Sequence, residues 1–143
     1  MSTIKMDEYL EEGKSYTRLY NEYKKHGGLA VGFDFDGTIH DYHKTGASYE
    51  LVRQLLRDLK SIGCKTYCWT AYRDLDYVIK FCEENNIPCD GVNCNALPLL
   101  WESRKPFFSA LLDDRAGLIQ VYKDLRKLVD TVNIEKTYKL ENE

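Results

Sequence analysis

An α/β protein built on a parallel sheet is what this chain predicts, and three observations predict it. Short runs rich in apolar, β-branched and aromatic residues alternate with helical stretches, the pattern of strand–helix units in a parallel sheet. Leu29-Ala30-Val31-Gly32-Phe33 stops at Asp34-Phe35-Asp36-Gly37-Thr38, Lys65-Thr66-Tyr67-Cys68-Trp69 stops at Thr70, and Phe108-Ser109-Ala110-Leu111-Leu112 stops at Asp113-Asp114-Arg115. All three polar clusters therefore fall at the carboxyl ends of strand-like runs, the edge where open parallel sheets bind ligands.

The elements follow in order. Residues 5 to 26 predict a helix within an N-terminal segment 1–28, acidic early (Asp7, Glu8, Glu11, Glu12) and basic late (Lys24, Lys25, His26), as the helix dipole favours. Gly27-Gly28 ends it, and Gly13 weakens its first half. Tyr9, Tyr16, Tyr20 and Tyr23 recur at helical spacing, which favours a core-facing stripe over an aromatic platform for bases. After the first strand, His40 to Ala47 is a polar loop in which His40 and His43 are expected in solvent. Ser48 is the expected cap of a second helix with Leu51, Val52, Leu55, Leu56 and Leu59 apolar, ending at Gly63. A third helix is expected from Arg73 to Asn85, broken at Asn85-Asn86-Ile87-Pro88, before a short strand at Gly91-Val92-Asn93. Ala96 to Arg104 reads as irregular or a short helix. The last helix is expected over Leu118 to Asp130, with a charged, frayed tail at 131–143.

At 143 residues the chain suits one domain, 1–143, with enough length for a substantial core. A net charge of −3 gives no general electrostatic case for nucleic-acid binding. No stretch approaches the ~20 apolar residues of a membrane span, and the first residues lack the layout of a secretory signal, so a cytoplasmic protein is the expectation. Cys64, Cys68, Cys82, Cys89 and Cys94 form no CxxC pair and read as reduced thiols. Grouping of Cys82, Cys89 and Cys94 around zinc is the lesser reading, since free cysteine usually behaves as a small buried hydrophobe.

The chemistry lies in Asp34-Phe35-Asp36. Two acids at i and i+2 repel unless a cation sits between them or one holds a proton. An Asp-Gly turn needs one acid only and leaves Asp34 unexplained. The pair suggests Mg²⁺-dependent phosphoryl transfer through an aspartyl nucleophile.

With Thr70, Lys105 and Asp113-Asp114 added, the series resembles, in order, the four motifs of the haloacid dehalogenase-like (HAD) phosphatases, over about residues 29 to 118. The resemblance implies a three-layer, Rossmann-like parallel sheet with flanking helices. It implies Asp34 as nucleophile, forming an aspartyl-phosphate, and Asp36 as general acid and then base, the two titrating as a coupled pair. It further implies Mg²⁺ held by Asp34, the backbone carbonyl of Asp36, Asp113 and Asp114, with Thr70 on the phosphoryl oxygens beside the amides of the next helix start. Lys105 would neutralise the nucleophile and the phosphoryl group. It precedes Asp113 by eight residues, so the chain must descend and climb back, with Pro106 supplying the turn. Arg73, Arg104 and Arg115 are candidates for a second substrate phosphate or for structural ion pairs. The two insertion places, 39–47 and about 93–109, are too short for a large cap domain, so the resemblance is to a small capless member with an open site.

The expected partner is a phosphorylated substrate of any size, with nucleic acid only as a substrate and no membrane. A nucleotidase or nucleic-acid-end phosphatase is the alternative subclass. A non-enzymatic phosphoacceptor or binding domain is the alternative class, although in receiver-like domains the paired acids follow the first strand and the acceptor a middle one. Dehalogenases need no second acid, so Asp36 argues against them, and phosphomutases generally carry a substantial cap.

Overall fold

The computed structural model describes residues 7–96 and 104–142. Four strands, β1 (Ala30–Phe33), β2 (Lys65–Cys68), β3 (Gly91–Val92) and β4 (Ala110–Leu112), form one parallel sheet in the order β3-β2-β1-β4. The register sets Val31 beside Thr66 on one side and Ala110 on the other, so β1 is an inner strand. The helices α1 (Lys14–His26), α2 (Glu50–Ser61), α3 (Leu75–Glu84) and α4 (Leu118–Glu141) flank the sheet. No cap domain occurs among the described residues.

The core joins the inner strand to the helices. Val31, Phe33, Phe35, Leu55, Leu59, Leu112, Leu125 and Leu128 are fully buried. The apolar stripe of α2 is as its spacing predicts except at Leu51, which is 74% exposed because it lies on the outer side of the helix. The cap of α2 also differs from expectation. Tyr49, at φ +56°, is the capping residue, while Ser48 Oγ accepts the Glu50 amide at 3.3 Å.

Two helix boundaries depart furthest from the sequence reading, while α3 starts two residues later and ends one residue earlier than expected. The N-terminal helix is interrupted: a 3-10 turn at Glu8–Leu10 precedes α1, and Gly13 stands between them at φ +81°, a left-handed conformation that glycine adopts without strain. Tyr16 and Tyr20 pack on the core and Tyr23 is buried, its hydroxyl donating to the Ile62 carbonyl at 2.6 Å, whereas Tyr9 is exposed. At the other end, α4 continues to Glu141, eleven residues past the expected stop at Asp130. Contacts from α1 hold this extension: Tyr16 Oη donates to Thr131 Oγ1 at 3.1 Å, and Lys24 Nζ pairs with Glu135 at 2.7 Å. The expected strand from Phe108 begins at Ala110, although the Ser109 amide already donates to Ala30 O at 2.7 Å. Most of the segment expected to be irregular, Ala96 to Arg104, lies outside the described residues.

No helix among the described residues is long and apolar enough to cross a membrane. Cys64, Cys68 and Cys82 are buried, Cys89 is half-buried and Cys94 exposed, all as free thiols.

Candidate functional site

The ladder bonds carry the site residues to a common edge. The Asp34 amide donates to Leu112 O at 2.8 Å, the Trp69 amide to Phe33 O at 2.8 Å, and the Asn93 amide to Cys68 O at 2.8 Å. Asp34, Thr70, Asn93 and Asp113 therefore all leave the sheet at its carboxyl edge. There they meet an open cleft of about 1360 Å³, lined by Asp34, Asp36, Thr70, Asp113 and Asp114 among others.

The Asp34-Phe35-Asp36 segment works by alternation of side chains. Phe35 turns inward, fully buried, and packs edge-on against Tyr72 and Phe81, both at 5.3 Å between ring centroids. Its two neighbours turn to the cleft. The loop then closes on itself: the His40 amide donates to Phe35 O and the Gly37 amide to His40 O, each at 3.0 Å. Gly37 suits the turn by its conformation, and a side chain there would push the Asp114 carboxylate aside. Its φ is +78°, and a Cβ there would stand 2.7 Å from Asp114 Oδ2.

Asp34, Asp113 and Asp114 offer one oxygen each within 4.8 Å of one another, the one such group of candidate metal ligands among the described residues. Half-burial, a hydrogen bond with Asp114 and the charge of Asp113 push the Asp34 carboxyl up to about 7. Asp113 is oriented by the Arg115 amide, which donates to its Oδ1 at 2.8 Å. The donor set is all carboxylate oxygen, which suits a hard cation such as Mg²⁺ or Ca²⁺ rather than a thiolate-seeking metal. Such an ion would offset the repulsion among the three carboxylates. The cysteines take no part in it.

Thr70 is held by a residue that the sequence reading passed over. Asn93 receives the Thr70 amide on Oδ1 and donates through Nδ2 to Thr70 O, both at 2.8 Å. An Asn closing a short strand is the only local signal for it. The Tyr72 amide donates to Thr70 Oγ1 at 3.0 Å, which leaves the hydroxyl proton to point elsewhere. Thr70 does not adjoin the next helix start. The α3 cap is Asp74, whose carboxylate takes the Tyr77 amide at 3.1 Å.

Lys105 is exposed on the approach to β4 and is not among the described residues that line the cleft. Arg73 and Arg115 do line it, with His43, while Arg104 is exposed outside it. The expectation for His40 is overturned. Rather than a solvated loop residue it is an inward-turned ring, its side chain 14% exposed and its Nδ1 2.8 Å from Asp36 Oδ1.

No family model and no curated protein matches the chain. Among solved structures, a conserved protein from Bacteroides thetaiotaomicron matches with a TM-score of 0.57, over 70% of this chain and 91% of that one, at 22% identity. Likeness at that identity speaks for the fold, and the fold it speaks for is the parallel α/β sheet described above.

Proposed function

We propose that the protein is a Mg²⁺-dependent phosphomonoesterase that works through an aspartyl-phosphate on Asp34. The observation that carries this reading is the convergence of Asp34, Asp113 and Asp114 at the carboxyl edge of the sheet, in the same cleft as Asp36 and Thr70. Three carboxylates would repel a phosphate, so a phosphatase reading requires a cation there. Asp34, Asp113, Asp114 and the Asp36 carbonyl would hold it, and bound Mg²⁺ supplies charge neutralisation between nucleophile and phosphoryl group.

The chain's own groups then divide the work. Asp34 attacks phosphorus and forms the P–O bond to its carboxylate as the bond to the leaving oxygen breaks. Asp36 gives its proton to that oxygen, then takes one from the water that hydrolyses the intermediate. Thr70, clamped by Asn93, donates its hydroxyl proton to a phosphoryl oxygen. Lys105 is the residue of the proposed set that the cleft supports least, because its side chain lies exposed outside the described lining. The open cleft suits substrates larger than a small sugar phosphate, including phosphorylated macromolecules.

The test is hydrolysis of a panel of aryl phosphates, sugar phosphates, nucleotides, phosphopeptides and end-phosphorylated oligonucleotides, with Mg²⁺ and with chelator. Multiple turnovers with Mg²⁺ alone support the reading. One stoichiometric phosphorylation without release would replace it with a phosphoacceptor domain.

A further inference from the structure

His40 sits where a loop histidine need not. Its ring stacks on Phe35 at 4.4 Å and 13° between planes, and Phe81 meets it edge-on at 5.0 Å. The imidazole is thereby fixed in a slot of aromatic rings, and both nitrogens are engaged. Nδ1 lies 2.8 Å from Asp36 Oδ1, and Nε2 lies 3.3 Å from the hydroxyl of Tyr77, on the first turn of α3. A tyrosine hydroxyl that donates to Nε2 leaves the ring proton on Nδ1, and that proton then occupies Asp36 Oδ1.

We infer that His40, with its tautomer set by Tyr77, is a positioning residue that occupies Asp36 Oδ1 as a hydrogen-bond acceptor and so directs the acid proton of Asp36 to Oδ2. This rests on Asp36 acting as the general acid of the proposed reaction. When the P–O bond to the leaving group breaks, its electron pair goes to the leaving oxygen, and the proton that oxygen takes comes from Asp36 Oδ2. The Oδ1 contact persists throughout, so the carboxyl group need not rotate between its acid and base steps. Neither His40 nor Tyr77 touches substrate in this scheme.

The experiment compares glycerol 2-phosphate, a poor leaving group, with 4-nitrophenyl phosphate, a good one. His40→Leu should lower kcat on glycerol phosphate by roughly ten- to a hundredfold and on nitrophenyl phosphate by about threefold at most, with KM nearly unchanged, because only the first substrate needs a well-aimed proton. His40→Asn should recover most of the loss, since its amide Nδ2 donates from near the position of Nδ1. Tyr77→Phe should lose less, in the same direction. Equal losses on both substrates, or an Asn variant as impaired as the Leu variant, would overturn the inference. Should His40→Leu not fold, Tyr77→Phe removes only a partly exposed hydroxyl, and absence of a substrate-selective loss there overturns it equally. Imidazole nitrogen chemical shifts of the wild-type protein read the tautomer without turnover: protonation at Nδ1 is expected, and protonation at Nε2 alone refutes the arrangement. A wild-type protein with the expected tautomer that hydrolyses no phosphomonoester would overturn the proposed function instead.

Discussion

Thr38 Oγ1 accepts the amide hydrogen of Asp114 at 3.1 Å, and the same hydroxyl donates to Asp34 Oδ2 at 3.3 Å. One fully buried side chain thus ties the loop after β1 to the loop after β4 and orients the carboxylate between them. Thr38→Val keeps the shape and removes both bonds. It should cost about 0.5–1.5 kcal/mol in urea unfolding, because the part-buried bond to the Asp114 amide is lost. It should also weaken Mg²⁺ binding measured by calorimetry. Unchanged stability and unchanged Mg²⁺ affinity together would show that the two loops are held by other means.

Asp34→Asn should abolish turnover while circular dichroism stays that of the wild type. The amide is close in shape but is neither a nucleophile nor an anionic ligand. Retention of more than a few per cent of the activity would remove Asp34 from the nucleophile's role.

The raised carboxyl of Asp34 makes a stability prediction for the metal-free protein. The folded carboxyl sits near 7 against 3.8 for an ordinary one, raised first by burial, then by the hydrogen bond with Asp114 and the charge of Asp113. Between those values the folded state binds the extra proton, so this group's contribution to stability is fully present below the unfolded pKa and is lost as pH rises through about 7. The metal-free thermal midpoint should therefore fall between pH 6 and pH 8, by more than in Asp34→Asn. Saturating Mg²⁺ should flatten this dependence. An identical pH dependence in wild type and variant would mean that Asp34 is ionised throughout.

Asp36→Asn should differ in kind. General acid help is worth ~10²–10⁴-fold where the leaving group is poor, so the loss should be far larger on an alkyl phosphate than on nitrophenyl phosphate. Losses by one common factor would assign Asp36 to holding the loop rather than to proton transfer.

Ca²⁺ should bind the three aspartates yet support little activity, because its larger, looser coordination places the attacking oxygen differently. Titration by calorimetry paired with initial rates separates the two. Equal rates with both ions would indicate that the cation only screens charge.

What the sequence made legible was decided locally. Strand runs that end in Asp34, Thr70 and Asp113 could be read because an apolar run and its polar stop are adjacent in the chain. What escaped depends on distant partners. Residues 131–141 look like a fraying tail until Tyr16 and Lys24, more than a hundred residues earlier, are placed against Thr131 and Glu135. His40 reads as a polar loop residue because Tyr77, its partner, is 37 positions away on α3. Asn93 escaped for the same reason, gripping Thr70 from 23 positions on. Leu51 was misassigned because hydrophobicity alone does not say which side of a helix faces the sheet.

The inner position of β1 has a consequence for how long the site survives. Its amides and carbonyls are bonded to β2 on one side and β4 on the other, so solvent deuterium should reach them more slowly than it reaches a rim strand. β3 is two residues long and lies at the sheet's rim, open to fraying. Amide exchange at Asn93, the clamp on Thr70, should therefore be faster than at Phe33, which leads into Asp34. The Asp34 side of the cleft should thus stay fixed on a timescale over which the Asn93–Thr70 clamp loosens and re-forms.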